Sequence, residues 1–150
     1  MPQSLAPVTV HIIFSTKDCR PFMAKDVREK LHAYLVGAGK AIGTPALRVG
    51  GTEDHVHTLL TLSRTLTIAD TMEEIKKSSS KWMKTKGETL RDSYWQNGYG
   101  KFPVSPSNLA QVLNYISNQE RHHQKMTFQQ EYRLFLKKHN VEFDERYVWD

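Results

Sequence analysis

The chain has 150 residues, of which 39% are hydrophobic and 25% charged, enough for one domain with a real core. No run approaches the ~20 apolar residues that cross a bilayer, so no membrane role is expected. The single cysteine, Cys19, rules out an internal disulfide and a cysteine-built zinc site. The net charge of +5 leans toward a polyanionic partner.

The opening M-P-Q-S-L-A-P lacks the charged and apolar regions of a signal peptide, and a cytoplasmic location is expected. Residues 8–14, V-T-V-H-I-I-F, are β-branched and aromatic and predict a buried strand. Pro21 breaks the chain. From Ala24 to about Ala38, Val27, Leu31, Tyr34 and Leu35 recur at helical spacing, with stop signals at Gly37, Gly39 and Gly43. Ala46–Val49 predicts a short strand, with Gly50-Gly51 turning into a second strand that carries His55 to Leu62. Thr67 opens another helix with Asp70 three residues on, and Ile68, Met72, Ile75 and Met83 mark its buried side. Gly87 stands where a helix end favours glycine.

Residues 94–104, Y-W-Q-N-G-Y-G-K-F-P-V, predict an aromatic strand interrupted by glycines. Ser105-Pro106 starts a third helix running to about Gln124, and Thr127 with Gln130 caps a fourth that ends near Asn140. The order strand, helix, strand, strand, helix, strand is that of an α+β, ferredoxin-like (RRM-like) split βαβ fold. Helices are expected on one face of its antiparallel sheet, the other being free for a ligand or a second subunit, with an extra C-terminal helix over about 127–150. One domain spans residues 1–150. Such a layout serves RNA-binding modules and many enzymes alike, so function has to come from a site.

The chemistry-bearing stretch is E-D-H-V-H-T-L-L-T-L, residues 53–62. Side chains two apart on a strand share a face, so His55 and His57 point the same way and Val56 enters the opposite layer. Two imidazoles so placed can serve one metal ion. Glu53 shares their face if the strand reaches back that far, and ranks below other ligand candidates, while Asp54 is expected to point away. On the third helix Leu109, Val112, Leu113 and Ile116 form the apolar stripe, with Tyr115 and Gln119 stacked at its edge. Alone, the tyrosine reads as a boundary residue and the glutamine as a solvent-facing helix former.

Together, H-V-H at 55–57 and Y-I-S-N-Q at 115–119 resemble the HUH-type single-tyrosine transposases of IS200-like, single-stranded insertion sequences, including the REP-associated tyrosine transposases. The segment before the tyrosine helix, Y-W-Q-N-G-Y-G-K-F-P-V-S-P-S-N-L, and the ending H-N-V-E-F-D-E-R-Y-V-W-D are similar to family members too. Thr58 departs from the more usual leucine after the second histidine. The resemblance implies a divalent cation, Mg²⁺ or Mn²⁺, held by His55, His57 and Gln119. It implies Tyr115 as the nucleophile that cuts hairpin-bearing single-stranded DNA ends and keeps the bond energy in a 5′-phosphotyrosine. It also implies a homodimer, with the site built within one chain or across two.

Lys17, Arg20 and the Lys76, Lys77, Lys81, Lys84 run are the candidate phosphate contacts, though a lysine-rich helix is more often a solvated face. His11 reads as a satisfied sheet residue, and Trp82 and Trp95 as core or interface residues rather than base-stacking platforms. His122 lies on roughly the face of Tyr115 and is a candidate DNA contact, but neither it nor His123 is read as a metal ligand. The competing reading is a catalytically silent, ferredoxin-like single-stranded nucleic-acid binder. A two-His-x-Thr/Ser phosphoesterase is set aside, since none of the seven histidines begins that motif.

Overall fold

Alternation of side chains along the first strand divides the molecule into two layers. In the computed structural model, which describes residues 8–150, β1 (Thr9–Ser15) sends Val10, Ile12 and Phe14 into one core and His11, Ile13 and Ser15 to the opposite face. The opening stretch read against a signal peptide lies outside the described residues. After a 3₁₀ turn at Lys17–Cys19 comes α1 (Lys25–Ala41), then β2 (Ala46–Gly51), β3 (His55–Thr61) and α2 (Ile68–Lys84). A 3₁₀ turn at Glu88–Leu90 leads to β4 (Gly100–Val104), another at Pro106–Asn108 to α3 (Leu109–Ser117), then α4 (Gln119–His122) and α5 (Phe128–Lys138).

The four strands form one antiparallel sheet in the order β2-β3-β1-β4, the split βαβ topology that the sequence predicts. α1 and α2 cover one face. Leu31 and Leu35 of α1 and Met72, Ile75 and Met83 of α2 close over Val10, Ile12, Phe14, Val56 and Leu60. Trp95 is buried in that core and Trp82 packs against it. The Thr67 hydroxyl accepts from the Asp70 N–H at 3.0 Å and caps α2.

The second face is not free. A smaller core of Ile13, Phe102, Phe128, Tyr132 and Leu136 joins it to α5, and Val148 and Trp149 pack back onto this cluster. α5 begins at a full capping box, with Thr127 Oγ1 accepting from Gln130 N–H at 3.2 Å and Gln130 Oε1 accepting from Thr127 N–H at 2.9 Å. α3 lies over β2 because Gly50 has no side chain: a Cβ there would stand 2.2 Å from the Ile116 carbonyl oxygen.

Element boundaries shift where local signals compete. α1 runs through Gly37 and Gly39 to Ala41, since a buried helical Gly39 allows close approach of the Thr44 backbone. β2 continues through Gly50-Gly51, and the turn falls at residues 52–54. Residues 94–99 form no strand and, among the described residues, pair with the sheet through a Thr16–Trp95 bridge. The third helix breaks at Asn118, whose φ and ψ of −107° and 26° divide α3 from α4. Among the described residues no helix is long and apolar enough to cross a membrane.

Candidate metal and tyrosine site

Strand register brings the first two ligand candidates together. His55 and His57 leave β3 on the face opposite Val56, both fully buried. The break at Asn118 then turns Gln119 inward, where its Oε1 lies 3.0 Å from His55 Nε2 while its amide nitrogen donates to the Tyr115 carbonyl at 3.4 Å. Tyr115, one turn earlier, sits with its ring centroid 5.8 Å from that of His57. A single chain therefore brings His55, His57, Tyr115 and Gln119 into one site.

Two further residues enter: Glu131, absent from the sequence reading, and His123, which that reading does not take as a metal ligand. His123 Nε2 lies 3.1 Å from both Gln119 Oε1 and Glu131 Oε1, although His123 was set aside as a ligand. Glu131, from α5, puts Oε1 2.8 Å from His57 Nε2 and 3.5 Å from His55 Nε2, and its Oε2 accepts from the Tyr115 hydroxyl. One donor atom from each of His55, His57, His123 and Glu131 lies within 4.8 Å of the others. His123 follows Gln119 by four residues. Glu131 falls among Phe128, Tyr132, Phe135 and Leu136 at stripe spacing, and a carboxylate in an apolar stripe is a signal readable from sequence.

The outer nitrogens of the rings are already engaged. His55 Nδ1 donates to Asp54 Oδ1 at 2.7 Å, with Thr52 Oγ1 at 3.0 Å, so Asp54 turns toward the site's supporting layer, not away from it. His123 Nδ1 donates to the Met126 carbonyl at 2.8 Å, and His57 Nδ1 meets His11 Nε2 at 2.8 Å. A proton held on Nδ1 leaves a lone pair on Nε2. On His55 and His123 those lone pairs face Gln119 Oε1 and Glu131 Oε1, which are acceptors as well. Electron-rich atoms converging in this way need either a proton carried on Nε2 or a cation between them. The donor set fits a divalent metal, with the Nδ1 partners fixing each ring as outer ligand contacts commonly do.

Where a proton rather than a metal lies between these atoms, the His57 and His123 rings donate from Nε2 to Glu131, and the charges respond to that. Burial and the neighbouring imidazole of His57 pull His11 down to about 2, so it stays neutral. Burial drives His57 down to about 4 against the pull of Glu131. Burial would raise the Glu131 carboxyl, but hydrogen bonds from His123 and His57 outweigh it and hold the group well below the carboxylate range. Tyr115 is pushed well above the usual phenol value by burial and by the Glu131 charge. For His123, burial opposes the charged ring and Glu131 prevails, so its proton affinity rises.

The remaining candidates fall outside the cluster of donor atoms. Glu53 precedes β3, is exposed, and stands 4.0 Å from Arg28 in an ion pair. His122 packs tilted against the Tyr115 ring, with centroids 4.5 Å apart and ring planes at 32°. Lys17 and Arg20 are exposed beyond the end of β1. The α2 lysines belong to the layer on the far side of the sheet. Lys76 Nζ donates to the carbonyls of Gln96, Asn97 and Gly98 at 2.8, 3.2 and 2.7 Å, and Lys84 Nζ to Ser80 Oγ and the Ser93 carbonyl, both at 2.8 Å. Lys77 and Lys81 are exposed.

A family model matches the chain in sequence, and solved structures match it in fold. No curated protein matches it. Among solved structures, a proposed transposase from Deinococcus radiodurans R1 is similar with a TM-score of 0.62 and 24% identity, over 79% of this chain and 98% of that one. A REP-associated tyrosine transposase bound to a REP hairpin is similar with a TM-score of 0.55 and 13% identity, over 77% of this chain and 68% of that one. Residues 4–119 match the family described as Transposase IS200 like, a stretch that takes in both histidines, Tyr115 and Gln119 and stops short of His123 and Glu131. On that match the chain belongs to the IS200-like transposase family.

Proposed function

We propose that the protein is a metal-dependent transposase that cuts and rejoins hairpin-bearing single-stranded DNA ends through Tyr115. The observation that carries this reading is the convergence of the Tyr115 hydroxyl, the Gln119 amide and the paired imidazoles of His55 and His57 in one buried site. Likeness in fold to a tyrosine transposase bound to a REP hairpin supports the same substrate class.

In the proposed reaction the phenol oxygen of Tyr115 bonds to phosphorus and the bond to the 3′-oxygen breaks. The phenolic proton passes to solvent, and the departing oxygen takes up a proton from solvent to end as a free 3′-hydroxyl. DNA is left joined to the enzyme as a 5′-phosphotyrosine, and a second 3′-hydroxyl reverses the attack to rejoin a strand without a nucleotide cofactor. His55, His57 and Gln119 would hold Mg²⁺ or Mn²⁺, which supplies Lewis-acid polarisation of the phosphate. The chain's own groups orient the phenol and exclude water. Lys17, Arg20, Lys77 and Lys81 are the proposed phosphate contacts, and Lys76 and Lys84 join them only if their carbonyl partners release them.

A labelled hairpin oligonucleotide with Mn²⁺ should give a protein–DNA adduct that survives boiling in detergent. Tyr115→Phe should abolish the adduct and keep binding. An adduct in Tyr115→Phe removes that residue from the role, and chelator-independent binding with no cleavage of any hairpin favours the silent binding module. A homodimer belongs to the same proposal on family grounds. Sedimentation of the wild-type protein tests it, and a monomer that forms the adduct removes it.

A further inference from the structure

We propose that Glu131 bridges the cation and the nucleophile, one carboxylate oxygen serving as a metal ligand and the other positioning the Tyr115 hydroxyl. The inference rests on the reading above and adds a residue outside both recognised motifs and beyond the stretch that matches the family.

The carboxylate is placed by the fold, not by chance of rotamer. α5 is fixed by its capping box and by burial of Phe128, Tyr132 and Leu136, which flank Glu131 on the same face. Glu131 is 1% exposed, and a carboxylate is not held in such a place without partners. Its partners divide between its two oxygens. Oε1 faces the Nε2 atoms of His57, His123 and His55 at 2.8, 3.1 and 3.5 Å, whereas Oε2, among the described residues, accepts from the Tyr115 hydroxyl alone.

That division has two chemical consequences. Two neutral imidazoles and a neutral amide form a site with little preference for hard ions. A carboxylate adds a negative charge and an oxygen donor, the ligand type that suits Mg²⁺ and Mn²⁺. The second oxygen ties the phenol to the same rigid group, so cation and nucleophile keep a fixed separation without depending on the α3 backbone alone. Holding reacting groups in register is worth several orders of magnitude where the geometry is fixed.

The test combines metal binding without DNA and adduct formation with it. Mn²⁺ affinity of the DNA-free protein, read by electron paramagnetic resonance, should fall roughly tenfold or more in Glu131→Gln. At saturating Mn²⁺ that variant should still form the adduct at least tenfold slower than wild type, since an amide cannot reproduce both contacts. Glu131→Asp keeps the charge with a shorter reach, and should recover much of the affinity and little of the rate. It also controls for loss of folding, with circular dichroism melts on both variants. Wild-type affinity in Glu131→Gln overturns the ligand role, and a wild-type rate at saturating Mn²⁺ overturns the positioning role. If wild type itself neither binds Mn²⁺ nor forms an adduct, the parent reading falls too; active wild type with unaffected Glu131 variants sinks this inference alone.

Discussion

His11 on β1 reaches across to β3 and meets the outer nitrogen of His57, Nε2 to Nδ1, at 2.8 Å. Neither ring has solvent to replace the other, since both are buried. The contact therefore sets which way the His57 ring turns and which nitrogen it offers to the site. His11→Phe keeps a ring of similar size on the sheet but removes that partner. Metal affinity should drop by about 10–100-fold, as for other outer partners of ligating histidines. A Mn²⁺ titration checks it, and unchanged affinity would reduce His11 to a packing residue.

Gly50 and Ile116 set the height of the tyrosine helix above the sheet. With a Cβ at position 50 only 2.2 Å from the Ile116 carbonyl oxygen, α3 has to lift or β2 has to bend. Either movement carries Tyr115 away from His57. Gly50→Ala should cost about 1–3 kcal/mol of stability, the range for overpacking a closed interface. Adduct formation should fall by more than the folded fraction does. Denaturant melts beside adduct rates separate the two effects, and a rate that tracks the folded fraction alone would rule out the displacement.

Much of this arrangement is written in local patterns. Alternation around Val56 places both histidines on one face, and Thr67 and Thr127 mark helix starts by an ordinary capping preference. What stays hidden depends on tertiary approach. Asn118 reads as one more residue of a long helix, yet breaks it and turns Gln119 inward. Gly50 reads as a turn glycine, but its missing side chain is used for a helix crossing the sheet. Asp54, on strand parity, should face away, but it lies in the turn before the strand begins, where parity does not hold. Glu131 is legible as a carboxylate in an apolar stripe, since Phe128, Tyr132, Phe135 and Leu136 surround it at helical spacing.

The basic residues divide into two kinds that a salt titration can tell apart. Lys77 and Lys81 have exposed ammonium groups, as a phosphate contact requires, whereas Lys76 holds three backbone carbonyls of residues 96–98. If Lys77 or Lys81 touches the DNA, replacing it by methionine should lower the slope of log K against log salt by roughly 0.7. Lys76→Met should instead leave that slope alone and cost about 1.5–3 kcal/mol of stability, the range for hydrogen bonds from a charged donor. A slope change in Lys76→Met with no loss of stability would reverse the assignment.

His32 gives a pH effect separable from the site. It lies on α1 with its Nε2 buried and unpartnered, and burial with the nearby Arg28 charge pulls its pKa down from 6.5 to about 4. Between those values the unfolded chain binds the proton and the folded chain does not, so stability is lost as pH falls through the window and regained as it rises. The linkage amounts to about 2 kcal/mol by pH 5 relative to neutral pH, an upper figure because the ring is not wholly buried. Buried His57 and His11, both pulled below 6.5, act in the same direction and His123, whose proton affinity rises, acts against them, so the His32 contribution is read as the difference between variant and wild type. Replacing His32 by leucine removes one contribution and an unsatisfied nitrogen together. Melts in chelator at pH 8 and pH 5 should show a shallower acid loss in His32→Leu than in wild type. Parallel losses in the two proteins would mean that the folded ring takes up its proton as readily as the unfolded one.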